Sequence, residues 1–284
     1  MEWVPWQDAA VGAVTAAAAT PVLKDRVVPA CRALAAWTRE LALVFALYAL
    51  WQLAGDLSLA RPDRAVARGR DVARWERWVH LPSEASAQRV VLGFHELVRI
   101  LNYYYAVLHV AALGICLVWL FVRHRDRYPA VRNVLVLVTG ASLLVQLVPV
   151  APPRLVPGLG VVDTGHLIGP SVYSSTVAPG LDQLSAMPSL HVGWALVVAG
   201  AVVYAVRTPW RWLAWLYPAL TGWVVVVTGN HYWADGLAEL VICGFALLAV
   251  WSWLRFAARR RPPQVPDDAD GDRPGRAPAL TSSA

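Results

Sequence analysis

ILNYYYAVLHVAALGICLVWLFV, residues 100–122, contains no Asp, Glu, Lys or Arg. A helix needs about 20 mostly apolar residues to cross the hydrocarbon core of a bilayer, and this run supplies them unbroken. Asn133–Pro153 and Trp212–Asn230 lack the same four residue types. Gln183–Val206 is uncharged as well, with its helix expected to start near Pro188. Two weaker runs, Leu41–Gly55 and Leu240–Leu254, reach spanning length only by including Arg39 and Glu40, or Asp235 and Glu239. At the ends of a span such charges cost less than at its centre. The expected fold is therefore all-α, a polytopic membrane protein with about six transmembrane helices.

Composition points the same way. Charged residues make up 15% of the 284-residue chain and hydrophobic ones 57%, whereas a soluble domain carries about 25% charged residues. The net charge is +6, and the basic residues are all Arg except Lys24. These arginines flank apolar runs, which is where membrane topology places them, so no nucleic-acid partner is expected. Cys31, Cys116 and Cys243 are far apart and form neither a metal-binding spacing nor a disulfide framework.

Three segments follow. Residues 1–36 lack the positive start of a signal peptide, and Ala9–Thr20 is expected to form a short interfacial helix. Residues 37–258 hold the membrane domain. Residues 259–284 form a cytoplasmic tail, too rich in Pro and Asp from about residue 262 to order itself. With the amino terminus inside, the Arg-rich loops 123–132 and 207–211 and the end of the last span are cytoplasmic. The loop 151–188 then faces outward with Arg154 as its one basic residue. Residues 58–97 would also lie outside although they carry seven Arg, and are expected to form an amphipathic helix on the headgroups, anchored by Trp75 and Trp78.

Polar residues at membrane depth are costly, which marks them as candidates for function. His191 sits in SAMPSLHVGWA at an expected helix start, where free N–H groups and the helix dipole favour an anion, and Ser189 adds a hydroxyl. His231 and Asp235, in NHYWAD, are four apart and share a face if helical, so that the carboxylate fixes the imidazole tautomer. Arg154, in VAPPRLVPG, closes the preceding span at the same outer face. Two histidines, an Asp and an Arg thus converge at one depth. Asn102, Tyr105 and His109 fall near one helical face, either as a pocket wall for a polar headgroup or as interhelical hydrogen-bonding groups. Asp163 and His166, in VDTGH, are further candidates for headgroup contact, while Asp182, His80, His95 and His124 read as solvated.

Ser185–Trp194 together with Thr228–Asp235 resembles the type-2 phosphatidic acid phosphatase superfamily. The closest likeness is to the inositol phosphorylceramide synthase branch (inositolphosphotransferases) and its actinobacterial relatives. The resemblance covers roughly residues 97–256 and implies a six-helix core with a metal-independent site facing outward. It implies His231 as the nucleophile that becomes phosphohistidine, Asp235 as its orienting partner and His191 as the acid. Arg154 and Ser189 would hold the non-bridging oxygens. The lipid phosphatases' first motif, Lys-x6-Arg-Pro, is missing, Leu190 stands in place of a Gly, and Val224 and Val225 replace a Ser-Arg pair. The loss of clamping charge suits the phosphotransferase branch.

The expected activity is transfer of a phosphoryl group from a membrane lipid, without a cofactor or metal, to inositol or another alcohol. Hydrolysis of a lipid or prenyl (pyro)phosphate by water is the alternative. From a different class, a metal or haem protein would use His109, His191 and His231 as ligands, and a transporter would use polar groups at the midplane rather than at one face. The expected location is the plasma membrane, with the site on its extracytoplasmic side.

Overall fold

The computed structural model describes residues 5–25, 28–58, 62–169 and 184–260. The tail expected to be disordered, the solvated Asp182 and Arg61 of the Arg-rich segment lie outside the described residues. Among the described residues the regular structure is helical throughout, apart from one isolated β-bridge.

The first two helices, α1 (Trp6–Lys24) and α2 (Pro29–Ser58), pack together, with Thr20 and Thr38 sharing a hydrogen bond of 3.0 Å. The Ala-rich stretch is therefore part of a 19-residue helix lying against a second helix. α2 docks on α7 (Tyr128–Gln146) through Glu40, which accepts Arg132 Nη1 at 2.7 Å and the Tyr128 hydroxyl at 2.8 Å. A partly buried carboxylate shared by two donors fixes direction as well as contact.

His95–Arg123 is one continuous apolar helix of 29 residues. It consists of α5 (His95–Tyr103), a π-helical turn (Tyr104–Leu108) and α6 (His109–Arg123). With Tyr128–Gln146 and α11 (Trp233–Arg259), it makes three helices among the described residues long and apolar enough to cross a membrane. Their surfaces carry open apolar side chains, Ile115, Leu144 and Phe245 each being 70–71% exposed. Contiguous apolar surface of that kind fits lipid rather than water.

The run Trp212–Asn230 departs from the expected span. Pro209–Trp215 forms 3-10 turns, leaving only Leu216–Val227 as α10, and Gly229 ends it at φ +76°, a conformation that favours glycine. α9 (Leu190–Ala205) is also short, but it packs on α6, α7 and α10. Buried Gly193, Ala195, Ala199, Ala201 and Ala205 let those neighbours approach closely.

The Arg-rich segment folds as two helices, α3 (Pro62–Trp78) and α4 (Glu84–Leu92). Trp75 and Trp78 remain exposed, whereas Ala65, Gly69 and Ala73 are buried against the loops that carry the site. A Cβ on Gly69 would lie 2.7 Å from the Ala151 carbonyl oxygen, so this contact requires glycine. Arg68 Nη1 donates to the Pro149 carbonyl at 2.9 Å, and Ala151 N–H to that of Ala65 at 3.0 Å. α3 thus packs onto the protein with one face while its other face remains open. The first compact unit of the chain ends at Val250, and a second begins at Trp251.

Candidate active site

Three loops meet where the two sequence motifs come together. Val150 and Ser185 form a parallel bridge, closed by Val150 N–H to the Leu184 carbonyl (2.7 Å) and Ala186 N–H to the Val150 carbonyl (3.0 Å). Arg154 N–H donates to the Gly229 carbonyl at 3.2 Å, which joins the Pro-rich loop to the turn before His231. α9 starts at Leu190 rather than Pro188, with Ser189 as its N-cap residue. The Ser189 N–H points at the Asp235 carbonyl, 3.4 Å away, so the first helical N–H groups left for an anion are those of Leu190, His191 and Val192. The buried Ser189 hydroxyl has no hydrogen-bond partner among the described residues.

His231 and Asp235 are buried, with Asp235 fully so. Nδ1 of His231 lies 2.7 Å from the Ala186 carbonyl oxygen and 3.2 Å from Asp235 Oδ2. Both partners can only accept when the carboxyl is ionised, so Nδ1 carries the hydrogen and the lone pair belongs to Nε2. Asp235 Oδ2 also accepts the Tyr232 N–H at 2.8 Å, which holds the carboxylate independently of the histidine. Burial, and then the carboxyls of Asp235, Glu84 and Glu76, push the Tyr232 phenol upward. It stays protonated and donates to the Ala151 carbonyl at 3.0 Å.

His191 faces His231 edge-on at 5.6 Å between ring centroids. Tyr105 stacks on His191 at 4.2 Å, and His109 lies 4.0 Å from it on a tilted plane. The π turn sets this arrangement: by adding a residue to the helix it brings both Tyr105 and His109 onto the His191 side. Such turns recur at functional sites. Asn102, Tyr105 and His109 are all buried, in keeping with one shared face. Asn102 spends its amide on the Thr164 and Gly169 carbonyls (3.0 Å each) and accepts the Thr164 hydroxyl at 2.9 Å, tying the outer loop to α5.

Arg154 is buried. Its Nε lies 3.2 Å from Asp163 Oδ2 and its Nη1 bonds Asn230 Oδ1. Asp163 also caps the short helix α8 (Thr164–Ile168) by accepting the His166 N–H at 2.9 Å. The His166 ring is exposed, and among the described residues no bond or ring contact joins it to His191 or His231. No group of three or more His, Cys, Asp or Glu among the described residues is arranged to hold a metal ion.

A family model described as the PAP2 superfamily matches residues 70–254. The chain belongs to the PAP2 superfamily. No curated protein and no solved structure matches it. Membership assigns a phosphatase-type enzyme function on lipid phosphates, and the apolar helices place this PAP2 protein in a membrane. The matched segment opens within α3, before the region covered by the sequence motifs, and so takes in residues that motif reading missed.

Those residues surround the PAP2 site. Glu239, one turn beyond Asp235, is buried and accepts the Ser142 hydroxyl at 2.6 Å. Gln146 donates to the Pro188 carbonyl at 3.1 Å, and Gln88 bridges the Val162 and Val227 carbonyls at 2.9 and 3.1 Å. Asn230 positions Arg154, and Glu76 accepts the Ala234 N–H at 2.7 Å. The four-residue step from Asp235 to Glu239 was a usable sequence signal. Nothing local in the sequence marked Gln88 or Glu76.

Proposed function

We propose that this PAP2 protein takes a phosphoryl group from a lipid phosphate onto Nε2 of His231 and passes it to a hydroxyl acceptor. The supporting observation is the pair of acceptors on Nδ1, which leaves Nε2 as the nucleophilic nitrogen. Nε2 attacks phosphorus, the bond from phosphorus to the leaving oxygen breaks, and His191 gives that oxygen its proton. His191 then takes a proton from the acceptor hydroxyl, whose oxygen attacks phosphorus and releases His231. Asp235 stabilises the positive imidazole ring of the intermediate. Arg154, Ser189 and the first N–H groups of α9 hold the equatorial oxygens, where charge builds up. An arriving phosphate competes with Asp163 for Arg154.

The missing Lys and the Val224-Val225 substitution favour an alcohol acceptor such as inositol, as in the branch the sequence resembles. Release to water is the alternative outcome. The Arg distribution supports an extracytoplasmic site in the plasma membrane. Arg127 bonds the Tyr204 and Ala205 carbonyls at the C-terminal end of α9, whereas His191 opens its N-terminal end. About 1.5 Å per residue separates the two ends. The test is to incubate purified protein with labelled phospholipid and prenyl-phosphate donors, with and without inositol. Label in a phosphoinositol product and an acid-labile phosphoenzyme that disappears in His231→Ala are expected. Turnover without any phosphoenzyme would remove the covalent step.

A further inference from the structure

Glu76 lies on α3, a helix whose remaining charges face outward, yet its side chain is only 3% exposed. Oε1 accepts the Ala234 N–H at 2.7 Å, in the first turn of α11 and immediately before Asp235. Glu84, the first residue of α4, is also buried. Glu76 Oε2 and Glu84 Oε1 are both buried with no hydrogen-bond partner among the described residues. A buried carboxylate oxygen without a donor is expensive, and two neighbouring carboxylates cannot both stay ionised in such a place. One proton shared between them removes both costs.

We infer that Glu76 and Glu84 form a proton-sharing carboxyl pair that clamps α3 and α4 to the first turn of α11 and so holds Asp235 and His231 in position. They are positioning residues, and the inference rests on the catalytic roles proposed for His231 and Asp235. Protonated Glu76 donates from Oε2 to Glu84 while Oε1 keeps the Ala234 N–H. The charged and titratable groups facing Glu76 are Glu84 from α4 and Asp235 from α11, with the Tyr232 phenol in the same cluster. Burial raises the Glu76 carboxyl to about 9; its hydrogen bond to Glu84 and repulsion from Glu84 and Asp235 add to the rise, and the Ala234 N–H opposes it. In the unfolded chain the same carboxyl ionises near its ordinary value of 4.5. The folded state therefore holds a proton that the unfolded state has lost. Stability from this group is full below about pH 4.5, declines as pH rises and is gone once pH passes about 9.

Glu76→Gln keeps an oxygen for Ala234 and a donor for Glu84 but has nothing to titrate. Thermal unfolding in detergent from pH 6 to 10 should show wild type falling behind Glu76→Gln as pH rises, with the gap levelling off near pH 9. At pH 7, Glu76→Ala should lose at least about tenfold in kcat with KM changed less than about twofold, and Glu76→Gln should recover most of that loss. A melting gap that does not vary with pH, or a Gln variant as inactive as Ala, would overturn the pair. The melting measurement does not depend on catalysis, so it decides the pair even if no phosphoenzyme forms on His231, and also if Glu76→Ala fails to fold.

Discussion

Replacing Gly193 by Ala adds one methyl group to α9, two residues beyond His191. The new Cβ would lie 2.5 Å from Glu239 Oε2, 2.9 Å from Cδ and 3.3 Å from Oε1. Glu239 is fully buried and held by Ser142, so its carboxyl has to rotate and give up that 2.6 Å bond. Overpacking of this kind costs about 1–3 kcal/mol, and loss of the hydrogen bond about 0.5–1.5 kcal/mol more. Ala regains about 1 kcal/mol over Gly as a helix former. The balance is a destabilisation of about 2 kcal/mol, or roughly 4–8 °C in Tm for a chain of this size. Gly200 provides the control: it lies in the same helix and has nothing within 4 Å of its added Cβ. Gly200→Ala should gain the propensity without the clash and melt at or slightly above wild type. Thermal unfolding of the three proteins by circular dichroism in one detergent measures the difference. If Gly193→Ala melts as high as Gly200→Ala, the close packing of Glu239 on α9 is refuted.

His231→Ala should abolish turnover on every donor, whereas His191→Ala should keep measurable activity on aryl phosphates, whose leaving group needs no proton. Rescue of His231→Ala and not His191→Ala would invert the two roles. Asp235→Asn should fold and melt close to wild type yet slow phosphoenzyme formation about 10²–10⁴-fold, as read by rapid quench, because the imidazolium loses its counter-charge. In a background lacking Cys31, Cys116 and Cys243, Leu167→Cys should react with an impermeant maleimide on intact cells and Trp210→Cys should not. The opposite labelling pattern would reverse the membrane orientation.

What could be read from the sequence divides by range of interaction. The His231–Asp235 step needs only a helical repeat, and the pairing is present at 3.2 Å. The Ala186 carbonyl that decides the tautomer is 45 residues away along the chain, and no local pattern reveals it. The apolar runs gave the helical class directly, but Trp212–Asn230 shows their limit: 3-10 turns and a left-handed glycine divide an uninterrupted apolar stretch. α3 was misjudged by weighing its arginines against its acids. Its informative pattern is Ala65, Gly69, Ala73 and Glu76, a narrow stripe of small residues ending in one buried acid. That stripe makes α3 a packed part of the site as well as a surface helix.

The π turn between α5 and α6 makes the composition of the site depend on residue count. In a plain α-helix each residue advances the side-chain direction by about 100°, so deleting one residue from Tyr104–Leu108 would act as a rotor. Everything on one side of the cut would turn by about a quarter of a circle relative to the other, while the helix shortened by only about 1.5 Å. His109 would swing away from His191, and an outward-facing neighbour would take its place. A span can drift in length and apolar composition and still cross a bilayer. Here an in-frame loss of one codon would leave the membrane anchor intact and change which side chains face His191.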